Sequence, residues 1–323
     1  MDDDELGTRF RAADPAVTKL DAEASLREMS IRDAAMAEPV GGSTQRRVSR
    51  RWIAVPVVGA LALAITVLVQ VFTPVANPAF AATPPLLEGR GERLSIGEVS
   101  SMAATLLTGD EASRRRSTFE AWYVNTEVDG DGNASSQVSP QEVTRRWSID
   151  LTGSIEVTAG TPYKVDGRPD AGPSLPKPGT VLDSRTFAAG EMEVLFIDEP
   201  PTTVEALRTY LASTGRDITD PSELIESITE LRNEWTFGTA TESAVLALLA
   251  DSKGIEPIGL VTDRLGRDGW AFSADSTSSK SWRSIIVVSN ESGEITSTER
   301  IYLGGIPDFN LSTPAVINYT AWK

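Results

Sequence analysis

The stretch RRWSIDLTGSIEV (145–157) decides the fold class, because its side chains alternate between apolar and polar. Charged or hydroxylic residues occupy most of the even-numbered positions. The apolar residues at odd-numbered positions are Trp147, Ile149, Leu151, Ile155 and Val157. Successive side chains of a β-strand point to opposite faces of its sheet. The pattern therefore predicts strand, in a sheet with one face packed against a hydrophobic core.

Further strands are predicted on both sides of this stretch. STFEAWYVNTEV (117–128) precedes it, and EMEVLFID (191–198) follows a Pro- and Gly-rich loop over 160–182. From Gly259 to the C-terminus, short runs rich in β-branched and aromatic residues alternate with turn sequences such as RLGRDG and NESGE. Such alternation is typical of hairpins in an antiparallel sheet.

Helices are predicted before and between these strands. Ser95 and Glu98 form a capping box, and apolar residues follow at helical spacing up to Leu106. Thr202 and Glu205 form a second box, and two more helices are predicted over 222–232 and 241–252. The expected domain is therefore α+β, with helices packed on one face of an antiparallel sheet.

An apolar run precedes this domain. Residues 52–72 carry no charge, which is enough to cross a hydrocarbon layer of about 30 Å. The arginines on its N-terminal side are Arg46, Arg47, Arg50 and Arg51. By the positive-inside rule they predict a single-pass protein of the cell membrane, with its N-terminus in the cytoplasm and its C-terminal domain outside. Cleavage after Ala81, as in an export signal, is the alternative.

The predicted domain organisation follows from these features. Residues 1–50 form a mostly disordered cytoplasmic tail, and residues 51–73 form the transmembrane helix. Residues 74–93 form a linker, and residues 94–323 form the extracytoplasmic α+β domain.

Composition excludes several classes of function. The 323 residues include no cysteine and no histidine, so disulfides, thiol nucleophiles, imidazole bases and Cys/His zinc sites are excluded. We therefore expect no metal and no cofactor. The net charge of −16 repels nucleic acid, so nucleic acid is not an expected partner. Carboxylates are so abundant that no pair of them stands out as a catalytic site.

Large aromatic residues are the remaining candidates for a site. Trp122, Trp147, Phe196, Trp235 and Phe272 are the residues that a sheet and its helical cover would bury. Their plain role is core packing. In the binding interpretation they line a ligand cavity between the sheet and the helices.

The order of four segments resembles a known group of proteins. The segments are AFAATPPLL (79–87), RRWSIDLTGSIEV (145–157), PPTTVEALRTYL (200–211) and GLVTDRLGRDGWAFSAD (259–275). The chain resembles actinobacterial single-pass membrane proteins of unassigned function. Their outer domain is similar to the half-barrel of periplasmic lipoprotein carriers and of the sigma-E regulator. The resemblance implies a curved antiparallel sheet with helices on its concave face and a cavity for acyl chains or a peptide. It assigns no individual binding residue.

The function expected from the sequence is binding or sensing rather than catalysis. A lipid, acyl or peptide ligand would occupy the outer domain, and its occupancy could be passed to a cytoplasmic signalling partner through the membrane anchor. Two alternatives stay open: an envelope-directed hydrolase with paired carboxylates, and an envelope scaffold without ligand.

Overall fold

The computed structural model describes residues 83–128, 134–138, 140–161, 163–164, 176–305 and 312–323. The predicted cytoplasmic tail, the predicted transmembrane segment and its arginines, Arg46, Arg47, Arg50 and Arg51, lie outside the described residues. So does the first part of the predicted linker.

The described residues form four helices and eleven strands. The helices are α1 (Ile96–Leu106), α2 (Val204–Ala212), α3 (Pro221–Glu234) and α4 (Thr239–Ala250). The strands are β1 (Arg116–Val128), β2 (Ala134–Val138), β3 (Gln141–Trp147), β4 (Gly153–Ala159), β5 (Tyr163–Lys164), β6 (Val181–Phe187), β7 (Ile255–Thr262), β8 (Asp268–Asp275), β9 (Trp282–Ser289), β10 (Ile295–Tyr302) and β11 (Ala315–Trp322).

All of these strands belong to one antiparallel sheet. Its main path runs β6-β4-β3-β1-β11-β10-β9-β8-β7, with β2 paired to β1 and β5 paired to β2. The pairing of β1 with β11 joins the strands before the helices to those after them, with Phe119 opposite Trp322. The meander predicted from Gly259 onward corresponds to β7–β11.

The stretch 145–157 is a hairpin rather than one strand. β3 ends at Trp147 and β4 begins at Gly153. Between them Asp150 accepts a hydrogen bond from the Thr152 amide, and Leu151 has a positive φ of 60°. Ile149 is therefore in the turn, 62% exposed, and not on the buried face. The alternation correctly predicted the two strands but missed the turn, because apolar residues continue across it.

Helix α3 connects the helices to the sheet. It packs against β1, β3, β8 and β9, while α4 packs against α1 and α2. Leu224, Ile228 and Leu231 form its inward face and are fully buried. Asp220 caps it, accepting hydrogen bonds from the backbone amides of Ser222 and Glu223. A helix with a buried apolar stripe and a capped N-terminus is stable in this position.

The opposite face of the sheet also buries apolar residues. Trp122 and Tyr319 stack there with ring centroids 5.8 Å apart, and Leu86 and Leu87 pack against the same cluster. The cluster includes residues of β7, β8, β9, β10 and β11. The prediction of a single dry face is therefore wrong for this half of the sheet, which packs on both sides.

The predicted fold class needs correction. Strand residues clearly outnumber helical residues, so the described chain is mostly sheet with four short helices, rather than α+β in the form of a transmembrane helix followed by a half-barrel. None of its helices combines the length and the apolar character needed to cross a bilayer; the longest, α3, has 14 residues. The predicted single-pass transmembrane topology and cell-membrane location are corrected accordingly, because no helix of the described residues supports them. They depended on the hydropathy of residues 51–73, which the structure does not describe.

Gly238 is expected to be intolerant of a side chain. It precedes α4, and a Cβ added there would lie 2.0 Å from the carbonyl oxygen of Glu111. Because that neighbour is backbone, we expect Gly238→Ala to lower the free energy of unfolding by about 1–3 kcal/mol. Urea denaturation measures the loss.

Gly97 provides the matched control, because it also lies at the start of a helix but has open space around its Cα. Gly97→Ala should leave stability unchanged or raise it by up to about 1 kcal/mol. Equal effects of the two substitutions would contradict the close packing of Gly238 against the segment before β1.

Candidate functional site

The segment EMEVLFID (191–198) is not a strand of the sheet, contrary to the sequence prediction, and turns and bends occur along it. Its backbone amides are bound by a side chain instead of a neighbouring strand. The Glu234 carboxylate accepts hydrogen bonds from the amides of Leu195 and Phe196, both at 2.9 Å. The Glu234 carboxylate, at the C-terminal end of α3, thus makes hydrogen bonds that a neighbouring strand would make in a sheet.

Side chains also satisfy three carbonyl oxygens of the same segment. Arg145 donates to Glu193 O, and Trp235 Nε1 donates to Phe196 O at 2.8 Å. The Tyr210 hydroxyl donates to Asp198 O. Buried backbone groups must find partners, and here tertiary contacts supply them. The segment is therefore fixed in position without being paired in the sheet.

The residues behind the segment form a packed cluster, named here the anchor cluster: Arg115, Arg145, Trp147, Glu234 and Trp235. Trp147 and Trp235 meet edge to face with centroids 5.2 Å apart. The Arg115 guanidinium lies 5.3 and 4.8 Å from their ring centroids, a cation–π arrangement. Trp147 Nε1 donates to Glu234 O at 3.0 Å.

The anchor cluster contains a buried ion pair. Arg145 and Glu234 approach to 3.5 Å, and their side chains are 9% and 5% exposed. Burial raises the pKa of the Glu234 carboxyl, although Arg145 and the two bound amides oppose the rise. Burial likewise lowers the pKa of Arg145 against the attraction of Glu234. Both shifts have the same cause, because the two charged groups that hold the segment are buried away from water.

A groove lies between the anchored segment and α2. Its volume is about 470 Å³, within the range of small-ligand sites. Its lining residues are Leu195, Ile197, Asp198, Pro201, Ala206, Thr209, Tyr210 and Ser213. The groove therefore combines apolar side chains with hydroxyls and one carboxylate.

The apolar side chains of the groove face solvent because of how the segment is anchored. Phe196 points inward, is 1% exposed, and packs 5.3 Å from the Tyr210 ring. Its neighbours Leu195 and Ile197 consequently point outward and are 48% and 42% exposed. Exposure therefore alternates between the buried Phe196 and its two neighbours in the chain. They form an exposed apolar surface along the groove.

The structure separates the aromatic residues predicted to line a cavity. Trp147, Phe196 and Trp235 meet at the anchor cluster, and Phe272 lies in the same helix-side core. Trp122 is on the other face of the sheet, against Tyr319. All five are buried and none lines the groove.

Sequence reasoning missed the residues that make the site. Glu234 is one of 46 acidic residues, and nothing in its local sequence marks it as the partner of a segment 39 residues away. Arg115 and Arg145 carry no such signal either. The sequence predicted a strand over 191–198, and it gave no sign of the side chains that bind this segment.

Metal ligands are not grouped in the described part of the chain. No cluster of three or more acidic side chains in these residues is placed to hold a metal ion. The calcium-loop-like sequence DGDGN (129–133), which the sequence favours as a hairpin turn, lies outside the described residues.

Comparisons with known proteins give no family. No family model and no curated protein matches this chain. Among solved structures it is similar to a DUF1329 family protein from Desulfovibrio piger, at 8% identity over 71% of this chain and 91% of that one, with a TM-score of 0.18. That score is too low for the likeness to carry any argument. The structure itself shows a sheet-rich fold, and membership of the predicted family stays a prediction. The comparisons assign no enzymatic activity.

Proposed function

We propose that this protein is a non-catalytic binding protein and that the groove between residues 195–201 and α2 takes an apolar part of its ligand. The observation that carries the proposal is the exposure of Leu195 and Ile197 on a segment held from behind by side chains of the anchor cluster. Exposed apolar surface beside a concave groove is typical of ligand and partner sites.

The anchoring makes the groove a preformed site. Ordering a mobile loop on binding costs free energy, whereas a segment already fixed by buried hydrogen bonds avoids that cost. Leu195 and Ile197 stay exposed on this fixed segment, where they can contact a ligand without a prior ordering step.

The geometry favours binding over the hydrolase alternative. That alternative needs two carboxyl groups that face each other in a cleft with raised pKa. Burial does raise the pKa of Glu234, Glu242 and Glu299, but each of the three is paired with an arginine. Burial also raises the pKa of Glu120, which lies outside the groove, near Lys323 and Arg267 as well as the carboxyl groups of Glu142 and Asp263. The predicted cytoplasmic signalling partner depended on a membrane span and is not part of this proposal.

Replacement of Ile197 by Ser tests the groove. Nile red, a neutral apolar dye, should bind the full chain with a fluorescence increase. We expect Ile197→Ser to weaken its affinity about fivefold, because about 1 kcal/mol of apolar contact is lost. Fluorescence titration measures the two dissociation constants.

Ile149→Ser is the control variant, because Ile149 is an equally apolar and more exposed residue that lies in the β3–β4 turn and not in the groove. It should bind the dye as the wild-type chain does. Equal affinities for both variants would place the dye elsewhere and would count against the proposed site.

A further inference from the structure

We infer that the ligand of the groove is a cationic amphipathic peptide, with apolar side chains and lysine or arginine close together. This inference rests on the proposed function and adds the chemical class of the ligand. It follows from which hydrogen-bonding groups of the groove are free and from the charge around them.

The polar side chains of the groove offer acceptors and no free donors. The Thr209 hydroxyl donates to Glu205 O at 3.2 Å, and the Ser213 hydroxyl donates to Tyr210 O at 2.7 Å. The Tyr210 hydroxyl donates to Asp198 O. Each hydroxyl has one proton, so the oxygen atoms of all three can only accept from a ligand.

The carboxylate of Asp198 is also only an acceptor, and the other lining side chains, Leu195, Ile197, Pro201 and Ala206, have no polar atoms. A ligand that brings N–H or O–H donors can therefore bond these side chains without breaking an existing hydrogen bond. Ammonium and guanidinium groups supply several donors each, whereas a carboxylate or a phosphate diester supplies none.

The charge of the surrounding chain also favours a cationic ligand. Residues 191–205 contain five carboxylates and no lysine or arginine. All five are exposed: Glu191, Glu193, Asp198, Glu199 and Glu205. The nearby Arg208 already pairs with Asp251 at 2.6 Å. The groove is thus an apolar surface with an acidic border, which attracts cations and repels fatty-acid anions and acidic lipids.

A peptide matches both parts of the surface. Leu195 and Ile197 offer apolar contacts on one segment, with the Asp198 carboxylate directly after them. Alternating leucine and lysine side chains can reach both kinds of group, and the amide N–H groups add further donors.

Three matched peptides test the inference on the full chain. One alternates leucine with lysine, the second replaces every lysine by serine, and the third replaces it by glutamate. Each displaces Nile red in a competition titration at low salt and at about 0.15 M salt. We expect the lysine peptide to bind about tenfold more tightly than the serine peptide and the glutamate peptide to bind most weakly.

Asp198→Asn identifies the groove as the origin of this preference. It should weaken the lysine peptide about tenfold and leave the serine peptide almost unchanged, since it removes the charged acceptor of the lysine. Glu256→Gln removes one exposed carboxylate outside the groove and should leave the order of affinities intact. Ala206→Trp fills the groove without changing the charge, and should abolish the binding of all three peptides.

The outcomes separate the two proposals. If the peptides compete with the dye equally, and only Ala206→Trp weakens them, the groove binds apolar ligands but the cationic preference is wrong. If Ala206→Trp leaves dye binding unchanged, the proposed function itself is wrong. A lysine preference that Glu256→Gln and Asp198→Asn reduce alike would reflect only the net charge of the chain, and would also overturn the inference.

Discussion

Glu234→Leu should lower the free energy of unfolding by about 3–5 kcal/mol, because it removes one partner of a buried ion pair. The substitution leaves Arg145 as a buried charge without its counter-ion. It also leaves the amides of Leu195 and Phe196 without their acceptor, and each unpaired buried group adds about 1–3 kcal/mol in isolation. Urea denaturation followed by tryptophan fluorescence measures the change, since Trp147 and Trp235 lie beside Glu234.

Glu234→Gln is the graded control. A glutamine has nearly the same shape and keeps one oxygen acceptor, so it can bind one of the two amides. We expect it to cost about 1–3 kcal/mol, clearly less than the leucine variant. If the leucine variant were as stable as the wild type, residues 193–198 would not depend on Glu234, and the anchor cluster would not fix the groove.

The same variants connect stability with binding. Because Glu234 holds Leu195 and Phe196 in place, the groove should lose Nile red affinity in Glu234→Leu under conditions where the chain is still folded. Glu234→Gln should retain most of that affinity. A folded leucine variant with unchanged dye affinity would show that the groove forms without its anchor.

Asp220→Asn should be the second most damaging change, with an expected loss of about 2–4 kcal/mol at neutral pH. Asp220 is fully buried at the start of α3. One carboxylate oxygen accepts from the amides of Ser222 and Glu223, and the other accepts four hydrogen bonds from residues 276–278. An asparagine has one acceptor oxygen and turns an N–H2 group toward some of these donors, so about half of the hydrogen bonds are lost.

The effect should depend on pH in a defined direction. Burial acts to raise the pKa of Asp220, but the hydrogen bonds from Ser278, Ser276 and Glu223 outweigh it and lower the pKa from 3.8 to about 2. The unfolded chain therefore takes up the proton more readily, and the stabilisation is complete above about pH 4 and lost as pH falls from about 4 to about 2. Its size is about 2 kcal/mol.

Urea titrations of the wild type and Asp220→Asn at several pH values between 7 and 2 measure this term. The difference in stability between the two chains should shrink by about 2 kcal/mol as the pH falls through that window. Asp217→Asn provides the control, since Asp217 is exposed and should change stability by no more than about 0.5 kcal/mol. A wild-type-to-variant difference that stayed constant with pH would contradict the lowered pKa.

Local chemistry determined much of the secondary structure in advance. The Ser95 and Glu98 capping box is present in the structure, with hydrogen bonds in both directions. The apolar stripe of α3 lies where its spacing predicted, and β7–β11 follow the predicted strands after Gly259. The second capping box was misplaced by one residue, because Thr203 and not Thr202 precedes α2 and makes no side-chain cap. These features depend on residues within a few positions of one another, which is why the sequence alone reveals them.

The groove, in contrast, was decided only by the tertiary structure. EMEVLFID has the alternation of a strand, but its amides bind Glu234, about 38 residues away, instead of another strand. Nothing in the sequence distinguishes Trp122 from Trp147. In the structure they lie on opposite faces of the sheet, Trp122 in β1 and Trp147 in β3. The physical reason is that hydrogen bonds and burial depend on which distant residues the fold brings together, whereas hydropathy and spacing report only on neighbours along the chain.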